Sequence, residues 1–458
     1  MKFTWPDKSL VSETAFAIVK KLRKAGYETY IAGGAVRDAL LKRKINDIDI
    51  ATAATPVQVK MLFAKTIPTG EKHGTMTVRL GRMGFEITTF RSESPYADSR
   101  RPRSVKFIAS AEKDAKRRDF TLNALFYDPN TSEIIDFVDG ITDLRRGRIR
   151  MVGNAEARLK EDALRLMRAV RLATVLNLEI ERETRNAITK NAGRIKKISA
   201  ERVKQELDKI ILSGRPSAGV GLLDATRLLE YILPELKECQ NITQPKKHHG
   251  EGDVYTHSLL ALDEVNEDFD LTTRYAVLFH DLGKAKTREV KKGKTTFYNH
   301  PEVGADTVSK ICRRLKFSKV EEDKIAWLVR YHMVPNDFVQ MKLATRRKWA
   351  LNPYFRDLLL VHWADAAASL GLDGRGDTNP TGYREGYKIL KEIEKFPALA
   401  MPILSGNEVM KTLKIKPGVL VGKILKQLEE KKLAGKIKTK KSALRYLKKY
   451  KKSLLRTS

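Results

Sequence analysis

Strand-type patterning is confined to the first part of this 458-residue chain, and that confinement limits the possible folds more than any other feature. Up to residue 150, the short β-rich runs ETYIA, INDIDIAT, GTMTVRL and GFEITTF follow an amphipathic helical stretch, SETAFAIVKKLRKAG. From 151 to 240, ARLKEDALRLMRAVRLATVLNL and SAERVKQELDKIILS repeat apolar residues at helical spacing. Residues 241–370 remain helical and concentrate histidine: His248, His249, His257, His280, His300, His332 and His362 all fall there. Residues 371–458 end in the basic run AGKIKTKKSALRYLKKYKKSLLRTS. The predicted fold class is α+β: a small α/β head (1–150), then an all-α neck (151–240), a histidine-bearing body (241–370) and a helical tail (371–458).

Charge and cysteine usage narrow the function classes. Lys and Arg total 88 against 56 Asp and Glu, a formal charge of +32, which calls for a polyanionic partner. Nucleic acid is the first candidate, with an acidic lipid surface or charge kept for solubility as alternatives. Two cysteines, Cys239 and Cys312, exclude a disulfide framework and a thiolate zinc site, so metals must use His and carboxylates. MKFTWPDKSL has no signal-peptide core and no run approaches membrane-spanning length, so no membrane partner and a cytoplasmic location are expected.

In INDIDIAT, strand alternation puts Asp47 and Asp49 on one face and Ile48 and Ile50 in the core. Two carboxylates that close repel unless a divalent cation neutralises them, as Mg²⁺ does when it joins carboxylates to phosphates. An isolated Asp-x-Asp is more often a polar strand face, but upstream lies YIAGGAVRDALL, where a strand meets Gly33 and Gly34 before a helix, a geometry suited to phosphate.

Gly33, Gly34, Arg37, Asp38, Asp47 and Asp49 form the pattern GGxVRDxLL…DxD. It resembles the class II branch of the nucleotidyltransferase superfamily, which holds the tRNA CCA-adding enzymes and bacterial poly(A) polymerases. The resemblance continues through PTGEKHGTMTV, EITTFRSESPYADSRRP, RRDFTLNAL, EDALRLMRAVR and ISAERVKQEL, over most of residues 29–210. It implies that Arg117, Arg118, Asp119 and Asn123 line a nucleotide pocket with Gly33, Gly34 and Arg37, the arginines forking onto triphosphate oxygens. Glu86, on the strand face of Thr88, is a candidate third acidic group.

The family's EDxxR motif appears as Glu161, Asp162 and Arg165, with Arg168 and Arg171 following. Asp162 and Arg165, three apart on a predicted helix, would be neighbours that present an acceptor and donors to the Watson–Crick edge of a base. An ordinary helical ion pair, Glu161 with Arg165 at i,i+4, is the alternative for the same residues. Arg202 and Glu206, an i,i+4 pair in the next helical motif, would brace the pocket. The resemblance implies addition of CMP and AMP from CTP and ATP to the 3′ acceptor end of tRNA without a nucleic-acid template, Asp47 and Asp49 holding Mg²⁺. Residues 91–104, RSESPYADSRRPRS, look like the mobile loop that lets the pocket pass from CTP to ATP, which favours CCA addition over poly(A) addition. Poly(A) polymerase, and a hydrolase with an inactive RNA-binding head, are the competing readings. A monomer or a homodimer would serve either.

HHGEGDVYTHSLLALDEV, LFHDLGK, FYNHPEVGA, YHM and HWADAA together resemble an HD-domain phosphohydrolase. The metal ligands it implies are His257, His280, Asp281 and Asp365, a donor set suited to Mn²⁺, Ni²⁺ or Mg²⁺. His300 and His332 stand where some HD proteins place extra ligands, and Lys284 is positioned to meet a phosphate. The implied activity is hydrolysis of cyclic or terminal phosphates on nucleotides or RNA ends. SGNEVMKTLKIKPGVLVGKILKQLEEKKLAGKI resembles the closing segment of the longer family members, with a break at Pro417 and Gly418 before a helix.

Overall fold

The computed structural model describes residues 1–93, 105–245, 250–371 and 374–454, which form two compact units, Met1–Pro234 and Glu235–Ser458. The fold is mixed α+β: a sheet-bearing head followed by helices.

Among the described residues the first unit has a short parallel pair, Arg148–Ile149 with Glu179–Ile180, and before it nine strands that organise the head: β1 (Thr29–Ala32), β2 (Asp49–Thr52), β3 (Thr66–Gly70), β4 (Thr75–Leu80), β5 (Met83–Thr89), β6 (Arg91–Glu93), β7 (Val105–Phe107), β8 (Phe126–Asp128) and β9 (Glu133–Ile135). Seven form one sheet in the order β3-β4-β5-β2-β1-β8-β9, while β6 and β7 pair separately. All neighbours in the large sheet are antiparallel except β2 and β5. One sheet face carries Ile31, Ile50, Met76, Val78, Phe85 and Ile87, which pack with Ala15, Ile18, Val19 and Leu22 of the helix Leu10–Lys24. That helix starts because Ser9 caps it, its side chain accepting from Ser12 N–H. The opposite face holds Tyr30, Ala32, Ala51, Phe90 and Phe126, a smaller core. It also carries Asp49, which pairs in register with Ala32 of β1.

The strands β3, β8 and β9 were not expected: each is short and has no clear alternation of its own, and neighbours rather than sequence pattern hold it in the sheet. Residues 94–104, most of the expected mobile loop, lie outside the described residues; Arg91–Glu93 at its start is strand β6.

Beyond the head, the helices Ala155–Glu161, Arg165–Leu176, Arg182–Asn191, Ala200–Ile211 and Pro216–Ala225 complete the unit. Arg165–Leu176 packs against Ala200–Ile211. The run 157–178 is not one helix. It breaks at Asp162, whose backbone is extended (φ −134°, ψ 105°), and restarts after Leu164. The Asp162 carboxylate accepts the Leu164 N–H at 3.0 Å, the local side-chain bond by which Asp competes with a helical ladder.

The second unit sets the helices Val254–Asp263, Leu271–Phe279, His300–Arg314, Lys319–Tyr331 and Phe355–Ala368 around a histidine cluster. A β-hairpin, Glu289–Lys291 with Lys294–Thr296, interrupts this otherwise helical part. Its two-residue turn places Lys292 (φ 49°) and Gly293 (φ 73°) both at positive φ, the twist-matched hairpin turn, although its lysine-rich sequence gave no strand signal. At the end of the chain, Leu404, Val409, Leu413, Ile424, Leu428 and Leu447 form a core of their own. Its central helix, Val419–Leu433, begins after Pro417 and Gly418 as expected. No helix among the described residues is long and apolar enough to cross a membrane.

Candidate functional site

In the first unit, β2 and β5 run side by side with Ile50 opposite Ile87 and Ala51 opposite Thr88. One step back along both strands brings Asp49 beside Glu86. Ile48 and Ile50 are buried on the other face, while Asp47, just before β2, and Asp49 reach solvent. Although its tip meets water, the Asp49 carboxyl titrates above its usual range. Partial desolvation by the cleft walls is the main cause; the charge of Glu86 and then of Asp47 adds to it, against the pull of Arg118. Asp49 and Glu86, side by side on the sheet and both in the cleft, are an acid pair whose repulsion a hard divalent cation would relieve.

The chain enters the next helix through Gly33, at φ 73° and ψ −131°, a conformation that favours glycine. A Cβ there would lie 3.1 Å from Arg118 Nη1, a tight contact that the guanidinium would have to ease by a few tenths of an ångström. Gly33 N–H donates to Leu125 O at 3.0 Å, so this amide is engaged within the fold rather than held for a phosphate. Arg37 forks onto Asp38 (2.9 Å twice) and donates to Asn123 Oδ1 at 2.6 Å.

Asp114, which sequence reasoning missed, organises the next two arginines. Its carboxylate meets Arg117 at 2.6 Å and Arg118 at 3.0 Å while almost fully buried. Burial pushes its pKa up, but the two guanidinium groups hold it below the carboxylate range. The signal was present in AEKDAKRRD: an acid three and four residues before adjacent arginines on a helix. Arg118 also lies 4.9 Å from the centre of the Phe126 ring. Asp119 is held by Arg168 at 2.5 Å and accepts Phe120 N–H at 2.8 Å.

At the helix break, Asp162 and Arg165 are brought to the cleft by two different helix ends rather than by one helix face. Arg165 donates to Glu161 Oε2 and to Arg158 O, each at 2.7 Å, so the ordinary ion pair forms. Arg202 and Glu206 do not brace the cleft by pairing with each other. Arg202 reaches Asp162 at 3.6 Å and Glu206 holds Arg171 at 2.5 Å, because on their helix both side chains point at the neighbouring helix Arg165–Leu176 and its start. The Nη1 of Arg202 is buried without a partner.

Gly33, Gly34, Arg37, Asp49, Glu86, Arg117, Arg118, Asp119, Asn123, Asp162, Arg165, Arg168, Arg171 and Arg202 all line one cleft of about 530 Å³. That volume lies within the range of about 300–1,000 Å³ typical of small-ligand sites. Asp47 stands just upstream of the strand, and Glu206 acts from behind through Arg171.

In the second unit, His257 on Val254–Asp263, His280 and Asp281 just past the end of Leu271–Phe279, and Asp365 on Phe355–Ala368 converge. His257 Nε2 lies 3.0 Å from Asp365 and 3.2 Å from His280 Nε2, which is 3.3 Å from Asp281. Gly283 lets this turn approach the start of the helix His300–Arg314, since a Cβ there would meet His300 O at 2.0 Å. Glu251, also missed from the sequence, accepts His257 Nδ1–H at 2.8 Å. Backbone carbonyls accept the Nδ1–H of the others: Val277 for His280 (2.8 Å), Phe297 for His300 (2.8 Å) and Val329 for His332 (2.7 Å).

Because carbonyls and carboxylates only accept, these bonds fix the tautomers and leave every Nε2 facing inward. His300 Nε2 and His332 Nε2 are 3.3 Å apart and 3.5 and 3.7 Å from Asp281 Oδ1, itself buried without a partner. Three acceptors meet there with no donor, an arrangement that calls for a cation. Two groups therefore have metal-binding geometry, His257–His280–Asp365 and Asp281–His300–His332. Burial lowers the pKa of His280, but Asp281 and Asp365 overcome it and raise it to about 10. Burial and the charge of His280 lower His332 to about 3. Lys284, expected to meet a phosphate, instead reaches Asp281 Oδ2 at 2.5 Å and Gln244 at 2.7 Å. His362 is buried apart from both groups, and His248 and His249 lie outside the described residues.

Comparison with known proteins agrees with both halves. Residues 29–150 match the Poly A polymerase head domain, 177–240 the probable RNA and SrmB-binding site of polymerase A, and 253–368 the HD domain. The CCA-adding enzyme of Ligilactobacillus salivarius is 48% identical over 217 residues, 47% of this chain and 54% of that one, so this match spans about half the length of each. The CCA-adding enzyme of Levilactobacillus brevis is 34% identical over 434 residues, covering 94% of this chain and 96% of that protein. The crystal structure of the Bacillus stearothermophilus CCA-adding enzyme in complex with CTP superposes with a TM-score of 0.71 at 27% identity, over 98% of this chain and all of that one. With its head, its helical continuation and its histidine domain matched in order along one relative's nearly full length, the chain belongs to the family of CCA-adding enzymes.

Proposed function

We propose that the first unit adds CMP and AMP from CTP and ATP to the 3′ acceptor end of tRNA. One observation carries this: a single nucleotide-sized cleft joins Asp49 and Glu86 on the sheet to Asp162, Arg165 and Arg202 on the helices. The RNA 3′ oxygen attacks the α-phosphorus in line, the bond to the β-phosphate oxygen breaks, and pyrophosphate leaves. Asp47 and Asp49, with Glu86, would hold Mg²⁺, which supplies charge neutralisation at the phosphates and a more acidic hydroxyl. Arg117, Arg118 and Arg37 orient the triphosphate, and Asp114 and Asp38 hold those arginines in place. Asp162 and the Nη1 of Arg202, with Arg165, offer an acceptor and donors to the base, while Asp119 and Glu206 steady Arg168 and Arg171.

In the second unit, the histidine centre would act as a phosphohydrolase. Water adds across one P–O bond of a cyclic phosphate, its oxygen joining phosphorus and a proton passing to the released ribose oxygen. Mn²⁺, Ni²⁺ or Mg²⁺ suits the donor set of His257, His280, Asp281 and Asp365, and His300 and His332 with Asp281 Oδ1 fit a second ion. Opening a damaged tRNA end before rebuilding it links the two activities in one chain.

We divide the chain into a nucleotidyltransferase head (1–150), a neck (151–240), the HD domain (241–370) and a basic tail (371–458), working in the cytoplasm as a monomer or homodimer. The test is incorporation into tRNA that lacks its CCA end. CTP alone should add two nucleotides, and CTP with ATP should add three and stop. Long tails from ATP alone would instead make the chain a poly(A) polymerase.

A further inference from the structure

The cavity beside the histidine centre is much larger than a phosphate group requires. Its volume is about 810 Å³, enough to enclose a nucleotide. Part of its wall, Thr296 to Tyr298, runs from the β-hairpin directly to His300. Phe297 O accepts the Nδ1–H of His300 at 2.8 Å, so this wall is tied to the centre's own side chain. On it Tyr298 is 74% exposed, an aromatic face left open for stacking. Gln244, in the same lining and nine-tenths buried, keeps its amide Nε2 without a partner.

The hairpin that supplies this wall is strongly basic. Exposed Lys291, Lys292 and Lys294 on it, with Lys286 and Arg288 just before it, stand against one acid, Glu289, which holds Lys291 at 2.8 Å. A free mononucleotide would occupy the cavity without reaching cations spread along a hairpin. A polynucleotide end would meet both, with its terminal base on the aromatic wall and its upstream phosphates on the lysines.

We propose that Tyr298 and the hairpin bind the 3′-terminal nucleotides of a single-stranded RNA and present its terminal phosphate to the histidine centre. This rests on the phosphohydrolase assignment of that centre and adds the surface that takes the RNA end and sets it apart from a free nucleotide: Tyr298 and the hairpin lysines. Tyr298 stacks the last base, and Lys291, Lys292 and Lys294 follow the backbone behind it.

The test compares an RNA oligonucleotide ending in a 2′,3′-cyclic phosphate with 2′,3′-cyclic AMP, hydrolysed by the full chain in added Mn²⁺ over a range of salt. Charge reversal of the three hairpin lysines (K291E, K292E, K294E) should raise KM for the oligonucleotide at least about tenfold and lower its logarithmic salt dependence by about 2, leaving cyclic AMP hydrolysis unchanged. Tyr298→Ala should raise KM for the oligonucleotide about tenfold, and Tyr298→Phe should restore it. Equal losses on both substrates in the lysine variant, or an oligonucleotide KM unaffected by either change, would overturn the proposal while leaving the phosphohydrolase assignment intact. Hydrolysis of neither substrate by the unaltered chain would overturn both.

Discussion

The cleft of the first unit and the histidine centre of the second hold charge in opposite ways. In the cleft, arginines outnumber acids, and five of the guanidinium groups are held by a carboxylate behind them: Asp38 for Arg37, Asp114 for Arg117 and Arg118, Asp119 for Arg168, Glu206 for Arg171. In the histidine centre the groups are buried and acceptors are left facing one another, with Asp281 Oδ1 unpartnered. The first arrangement suits a large polyanion that arrives and leaves, because its cations are positioned beforehand. The second suits cations that stay, because they engage all the inward lone pairs of the centre at once.

The difference can be broken at its ends. Asp49→Ala should lower nucleotide incorporation on the order of 10³-fold, while cyclic-phosphate hydrolysis is unchanged. A comparable fall in both would mean that the sites are not separate. Asp281→Ala should do the reverse: hydrolysis and bound metal, measured by elemental analysis, drop at least about 100-fold with incorporation kept. Asp114→Asn strands two arginines around a buried position and should cost about 2–3 kcal/mol in urea unfolding. An unchanged midpoint would show that Asp114 is not the anchor.

Smaller effects separate the two regions further. Glu251→Gln should weaken metal binding by about 10–100-fold, through the orientation of His257, without removing a ligand. The metal affinity of the centre should also depend on pH. His257 and His280 have raised pKa values, that of His280 reaching about 10, so a cation must displace their protons. Affinity should therefore fall as pH falls from 9 to 6, by up to about tenfold per unit for each proton displaced. His332, lowered to about 3, is already neutral in that range and adds nothing to the slope. A flat titration would contradict the assigned ligands.

Much of this was legible in the sequence because the informative residues sit at fixed local spacings. Asp47 and Asp49 follow strand alternation, the Gly33 turn follows from its strand-to-helix setting, and LFHDLGK places His280, Asp281 and Gly283 in one turn. What was not legible depended on competing contacts that residue spacing alone does not reveal, some local and some distant in the chain. The break at Asp162 is invisible in a run with unbroken helical periodicity, since a single side-chain bond to Leu164 N–H decides it. The partners of Arg202 and Glu206 were misassigned for the same reason: i,i+4 spacing permits a pair on one helix but does not show the neighbouring helix that competes for both. Glu251 has no spacing signal, because it meets His257 only after the chain turns back before its helix. The hairpin at 289–296 escaped because lysines at its exposed positions mask strand patterning.

The most direct measurement concerns the proposed joining of catalytic carboxylates to a base-reading surface in one cleft. Initial rates of CTP, ATP, UTP and GTP incorporation into tRNA lacking its CCA end should be compared for the unaltered chain and Asp162→Ala. Discrimination of CTP against UTP should fall at least about tenfold in the variant, because the acceptor facing the base is lost. A variant that slows all four nucleotides equally and keeps its selectivity would contradict a protein template at Asp162.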